Sequence, residues 1–360
     1  MLTVQPPFIA DYFVRNKIIG EPKHGHRSFY LSWEDAFWQI VNLYITKPSA
    51  VVLVPEFYCG NVIEHMREHG LVVKTYPVDA KLQTNSRNLI AAIKATRPDI
   101  VIIFHAAGIP NTLFKRTREW LPRLGENVIL IEDSVHNIID PQKIIFLNQR
   151  HFLIDSLRKV VPVQGSNLYS PVPLPTISIL TQLRTAPYRL GVLGWWTLMQ
   201  IFLVGAYWAT NKNWQDLCNR IAEWAMLQGY NLIGKSRLPS VGISYMDPLS
   251  RKIATAKIER VKYLQAKAYR SALERLLRTD HFWLPDMKVG NDKYLRGFPL
   301  IVDLKIAPVF LKYFRSAGVM LRFELDDCVW SERQKIVYLP MGLHICDSDL
   351  KIVIDLLARF

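Results

Sequence analysis

A lysine, a carboxylate and an imidazole stand in this chain where buried-looking strands give way to polar residues. Lys159 lies in HFLIDSLRKVVPVQGSNLYS (151–170), bracketed by apolar side chains and followed by a Gly-Ser turn. Asp133 and His136 follow the apolar run of NVILIEDSVH. A partly desolvated amine loses its proton more easily and becomes nucleophilic toward an aldehyde, so a lysine in such surroundings suits Schiff-base chemistry. A carboxylate just beyond a buried strand can pair with a protonated ring nitrogen, although carboxylates at strand ends more often cap a helix or join a salt bridge. Two further strand ends carry polar residues, Pro55-Glu56-Phe57-Tyr58-Cys59 and His105-Ala106-Ala107-Gly108.

The elements around these residues are legible as an alternation. AVVLVP (50–55), LVVKTYPV (71–78), DIVIIFHAAG (99–108) and NVILIEDS (127–134) are short apolar runs that read as strands. Between and before them, SWEDAFWQIVNLYI (32–45), NVIEHMREHG (61–70), NLIAAIKAT (88–96) and TREWLPRL (117–124) place apolar side chains at helical spacing. This pattern predicts βαβ units in an α/β fold, with a mainly parallel sheet and helices on both faces. In such a sheet, ligands collect at the carboxyl ends of the strands. From about Ser250 the texture changes. A long amphipathic helix over SRKIATAKIERVKYLQAKAYRSALERLLR is followed by the strand-like GFPLIVDL, VMLRFEL and IVYLP and the helix-like PVFLKYFRSAG and DSDLKIVIDLLARF. The expectation is a large α/β domain over 1–248 and a small α+β domain over 249–360.

Composition narrows the function classes. Half of the 360 residues are hydrophobic and 21% are charged, as in an ordinary globular protein. The formal charge of +14 is scattered, and no zinc-finger spacing, RNA-binding aromatic motif or basic helix accompanies it. We therefore expect no nucleic-acid partner; an anionic, phosphate-bearing ligand suits the same field. Four cysteines lie far apart and the N-terminus lacks the features of a signal peptide, which points to free thiols in the cytoplasm. The uncharged LGVLGWWTLMQIFLVGAYWAT (190–210) has the length of a membrane span. Gln200, Thr197 and the α/β-like sequence on both sides favour a buried or partly exposed hydrophobic helix, with peripheral membrane contact as a further option. His65 and His69 are spaced for a two-point metal site but lack a third ligand, so no metal is expected. His24 and His26 read as loop histidines and His105 as a satisfied core residue.

VLVPEFYCGNVIEHMREHGLVVKTYPVD (52–79), VIIFHAAGIPNT (101–112), VILIEDSVHNI (128–138), LIDSLRKVVPVQGSNLYS (153–170) and IVYLPMGLHICDSDLKIVIDLL (336–357) together resemble the DegT/DnrJ/EryC1/StrS family of pyridoxal-phosphate-dependent sugar aminotransferases. The matches keep the family's order; residues 180–250 match only loosely. The resemblance implies a fold-type-I transferase and pyridoxal 5'-phosphate as cofactor. Lys159 would carry it as a Schiff base and shuttle the proton. Asp133 would pair with its ring nitrogen, His136 would lie beside its phenolic oxygen, and Phe57 or Tyr58 would cover its ring. Ser156 could hold the phosphate, with Ser32 and Trp33 at the phosphate-binding turn. Arg322 and His344, in the part that closes over substrate in this fold, would contact the substrate. An amino donor, glutamate by resemblance, would supply a nucleotide-linked keto sugar for polysaccharide biosynthesis, and the active site would form in a homodimer.

The sequence also departs from the family. LSWEDAF (31–37) puts Trp33 and Glu34 where the family has glycine and a small or basic residue beside the phosphate. The segment that in many members reaches the neighbouring subunit's cofactor has no clear counterpart; TAPYRLG (185–191) lies roughly in its place. A non-catalytic or diverged protein of this fold, and another pyridoxal-phosphate reaction on a sugar, are the alternatives these departures leave open.

Overall fold

The structure, a computed structural model, describes residues 2–15, 21–287, 292 and 295–360. Seven strands form the central sheet: β1 His26–Tyr30, β2 Val51–Pro55, β3 Val72–Tyr76, β4 Ile100–Phe104, β5 Ile129–Ser134, β6 His151–Asp155 and β7 Ser166–Ser170. Their order is β1-β7-β6-β5-β4-β2-β3. The pairs from β3 through β6 are parallel, whereas β7 runs antiparallel to β6 and β1 antiparallel to β7.

Side chains alternate across a strand, so each strand feeds two packing layers. Val52, Val54, Ile102, Phe104, Ile131 and Ile154 pack on one side with Phe37, Trp38 and Val41 of α1 (Trp33–Tyr44). Leu53, Val101, Ile103 and Leu130 pack on the other with Trp120 and with Leu89 and Ile93. α2 (Gly60–Glu68), α3 (Ser86–Thr96), which carries Leu89 and Ile93, and the single turn α4 (Thr117–Trp120) make the crossovers. Pro122 turns the chain beyond α4 into a tighter 3-10 turn, so the expected helix over 117–124 is short.

After β7 the chain is helical. α5 (Ile179–Arg184), α6 (Ala186–Trp208) and α7 (Lys212–Tyr230) follow one another, with α6 and α7 packed as an antiparallel pair. α6 is the expected hydrophobic helix, and it is partly exposed: Val192, Trp196, Met199, Leu203 and Ala206 are buried at spacings of three and four, while Leu190, Ile201 and Trp208 face outward. α8 (Met246–Ser250) and α9 (Thr255–Leu273) lead to a three-stranded antiparallel sheet of β8 (Phe282–Trp283), β9 (Phe298–Val302) and β10 (Lys335–Leu339), order β10-β9-β8. α10 (Ala307–Ser316) and α11 (Asp347–Arg359) complete it.

Three readings change. VMLRFEL (319–325) is not a strand: Val319 and Phe323 form only isolated bridges, to Leu2 and Val337. His26 lies not in a loop but in β1, paired opposite Ser170. The helix expected from Ser250 is split, because Lys252–Ala254 leave helical geometry and Ala254 donates its N–H to the carbonyl of Tyr12.

Candidate active site

A cavity of about 430 Å³ opens at the carboxyl ends of β5 and β6, where open α/β sheets bind ligands. The start of α1, the inner face of α7 and the segment 320–327 close it in.

Asp133, the penultimate residue of β5, is buried. The Tyr58 hydroxyl donates to its Oδ2 at 2.7 Å and the Val135 N–H to its Oδ1 at 3.1 Å. Burial pushes its pKa up to about 6 despite those donors. His136, three residues on, is buried between Phe104 and Tyr338. Burial pushes its pKa down to about 4, so the ring is neutral at pH 7. Its Nε2 lies 3.2 Å from Glu324 Oε1 and donates to it, which leaves Nδ1 buried and without a partner among the described residues.

Lys159 closes a 3-10 turn (Leu157–Lys159) directly after β6, and its N–H donates to the carbonyl of Ser156. Its Nζ is 3.5 Å from Glu324 Oε1, which also accepts from Arg296 Nη1 at 2.6 Å. Burial opposes the charge of Glu324, but Arg296, Lys159 and His136 outweigh it and hold the carboxyl well below the usual range. Ser156, buried beside this turn, lines the cavity.

At the start of α1, Ser32 is the N-cap: its Oγ accepts from the Asp35 N–H at 3.2 Å and donates to Asp35 Oδ2 at 2.5 Å. The first-turn N–H groups of a helix have no partner inside it and attract anions. Glu34 turns aside to His65, 3.0 Å away, and that hydrogen bond raises the histidine's pKa. Asp35 is buried, with its pKa pushed up to about 7, and takes the Ser240 N–H and the Tyr188 hydroxyl. Trp33 stacks on Phe37 at 5.3 Å and lines the cavity, its indole N–H unpartnered.

Of the residues singled out from sequence, the cavity thus brings together Lys159, Asp133, His136, Tyr58, Ser156, Ser32, Trp33 and Arg322. Two lie outside it. Phe57 is buried against Phe104 and Trp330 on the far side of the β2 end, so of the two aromatics only Tyr58 borders the cavity. His344 is held by the Tyr12 hydroxyl (2.7 Å) and the Thr3 carbonyl (3.0 Å), which occupies both ring nitrogens away from the site. Arg322 reaches the cavity, but its guanidinium is paired with Glu223 of α7. His65 and His69 do not converge: His69 contacts the Gly234 carbonyl. His105 is fixed on Glu132 at 2.7 Å.

Sequence reasoning missed Glu324, Arg296, Arg158 and Tyr230, all in the lining. Arg158 lies 4.2 Å over the Tyr230 ring. The one local signal was that Glu324 stands two residues from Arg322.

No protein-family model matches this sequence, and no curated protein matches it. Solved structures do match. One is a DegT DnrJ EryC1 StrS aminotransferase from Brucella abortus, with 14% identity over 94% of this chain and 86% of that one, TM-score 0.57. A second is the sugar aminotransferase CalS13 from Micromonospora echinospora, with 14% identity over 92% and 87%, TM-score 0.53. A third is NtdA from Bacillus subtilis with bound cofactor PMP, with 12% identity over 93% and 73%, TM-score 0.57. At such identities the likeness establishes the fold: that of fold-type-I aminotransferases, with a mostly parallel seven-stranded sheet and a small antiparallel one.

Proposed function

We propose that this chain is a pyridoxal-phosphate-dependent aminotransferase that moves an amino group, from glutamate, onto a nucleotide-linked keto sugar, as a homodimer in the cytoplasm. Residues 1–248 form its cofactor-binding domain and 249–360 its small domain. The observation that carries the reading is that Lys159, in the turn after β6, and Asp133, at the end of neighbouring β5, open into one cavity.

The residues present fit the cofactor. Asp133 is a buried carboxylate with no cation bonded to it among the described residues, and each of its oxygens has acceptor capacity left for a ring N–H. His136 Nδ1 is a buried acceptor that lacks a donor, a place for a phenolic hydroxyl. At the other end, Ser156 and the first turn of α1 offer hydroxyl and N–H groups to a phosphate, while the Ser32 hydroxyl is engaged by Asp35. Of the two departures at this turn, Glu34 has a partner of its own in His65, while Trp33 stays in the cavity lining. Lys159 would hold the cofactor covalently. When bound, the cofactor supplies an electron-withdrawing ring that stabilises a carbanion at the substrate carbon.

The chain's own residues do the rest. Tyr58 and Val135 keep Asp133 oriented and ionised. Lys159 Nζ takes up and returns the proton within the cavity, with Glu324 Oε1 within reach of its ammonium form. Arg158 is the lining arginine that could meet an anionic, nucleotide-linked substrate, since Arg296 and Arg322 are paired with Glu324 and Glu223. The four cysteines are free, in keeping with a reducing compartment.

The test is to incubate the chain with pyridoxal phosphate, reduce with borohydride, digest, and locate the label by mass spectrometry. A reduced adduct on the peptide carrying Lys159 is expected. A label spread over surface lysines, or none, would remove the reading.

A further inference from the structure

The strongest feature left unused by the cavity is the outer surface of α5–α7. Nearly half of the large apolar side chains exposed among the described residues lie between 179 and 227. On α6 the spacings of eleven and seven put Leu190 (68% exposed), Ile201 (61%) and Trp208 (71%) on one stripe, opposite the buried stripe of Val192, Trp196, Met199 and Leu203. On α7, Leu217, Trp224 and Leu227 recur at spacings of seven and three on the side away from buried Cys218, Ala222 and Ala225, and Trp214 is exposed in the first turn. The two helices meet at Trp195 and Trp224, whose rings stand edge to face at 5.1 Å. Exposed apolar side chains grouped on neighbouring helices in this way are uncommon on a soluble protein and mark a contact site.

We propose that this surface docks the chain on an anionic lipid bilayer, lying in the headgroup region rather than crossing it. Charge selects the occupant. Residues 179–230 hold Arg184, Arg189, Lys212 and Arg220 but only two acids, Asp216 and Glu223, and Glu223 is paired with Arg322. Arg184, Lys212 and Arg220 are exposed beside the apolar stripes, on a chain whose formal charge is +14. In a symmetric dimer the same patch meets itself, which would set these cations against their own copies; an anionic bilayer attracts them. Tryptophans at the end of α6 and the start of α7 suit the headgroup level, where amphipathic rings concentrate. A spanning arrangement is opposed by the packing: Met199 and Leu203 line the cavity and Gln200 donates to the Pro6 carbonyl, so withdrawing α6 would dismantle the site. Leu227 belongs to both the outer stripe and the cavity lining, so docking brings the α7 wall of the cavity to the lipid surface.

The proposal is independent of the cofactor reading and is tested without cofactor. The full chain is sedimented with vesicles of phosphatidylcholine alone and of phosphatidylcholine mixed with phosphatidylglycerol. Co-sedimentation with the anionic vesicles is expected, weakened by salt and weakened roughly tenfold or more in Ile201→Ser/Trp208→Ser, whose side chains face outward. Brominated lipid should quench the tryptophan emission of the unmodified chain, a readout that does not depend on the variant folding. Three results would overturn the proposal: protein left in the supernatant with both vesicle types, no quenching by brominated lipid, or a dimer in solution that the same double substitution splits into monomers.

Discussion

Lys159 Nζ lies 3.5 Å from Glu324 Oε1, the same oxygen that accepts from Arg296 at 2.6 Å and faces His136 Nε2 at 3.2 Å. One carboxylate oxygen from the segment before β10 therefore gathers groups from three other places in the chain. It ties the lysine turn after β6 to the small sheet, because Arg296 also lies over the ring of Tyr338 in β10.

Removing that carboxylate leaves Arg296 buried and unpaired. Breaking one side of a buried pair costs about 3 kcal/mol, so Glu324→Ala should lower the urea midpoint accordingly. Glu324→Gln with Arg296→Met, which removes both charges, should lose clearly less than the sum of the single changes. Strict additivity in that double-mutant cycle would show the pair is not coupled.

Asp35 gives a pH signature. Burial raises its folded pKa to about 7, above the unfolded carboxylate value. The stability linked to this group is fully present below the unfolded value and is lost as pH rises through about 7. Asp35→Asn, which mimics the protonated acid, should therefore gain stability relative to the parent chain between pH 5 and pH 8. An unchanged difference across that range would contradict the burial of its charge.

Trp330 joins the two sheets: its ring stands edge to face on Phe57 at 5.0 Å, and its indole N–H donates to the Asp79 carbonyl at 2.9 Å. Trp330→Ala should cost about 3–5 kcal/mol, as large-to-small changes at buried aromatics do. Calorimetry should show the loss; a change under about 1 kcal/mol would mean the site collapses around it.

Asp133→Asn keeps the shape of the strand end and removes its charge. On the proposed function, the retained amount of pyridoxal phosphate should fall roughly tenfold or more, the weight of a hydrogen bond to a charged group. Equilibrium dialysis measures it, and equal retention would detach Asp133 from the cofactor.

The legible parts of this molecule share a physical reason. β2 and β4 are covered on both faces, so each reads as an unbroken apolar run, and β5 opens on one, Ile129–Ile131, before its polar end. β1 and β7 were missed because HRSFY and SNLYS carry polar residues, and in an antiparallel margin of the sheet they need no such run. VMLRFEL has the composition of a strand, but Val319 and Phe323 find one bridge partner each. Arg296 and Glu324 are 28 residues apart with no local pattern between them, and only the packing of the small sheet against the β6 turn makes them a pair. His344 shows the converse: a suggestive residue near a matching motif whose nitrogens are both taken by Tyr12 and Thr3.

The most direct measurement is the absorbance spectrum of the purified chain before and after addition of pyridoxal phosphate, repeated on Lys159→Ala. A visible yellow band that survives gel filtration in the parent chain, and is missing from the variant, is the expected result. A parent chain that stays colourless after reconstitution, or a band retained by Lys159→Ala, would contradict the assignment of Lys159.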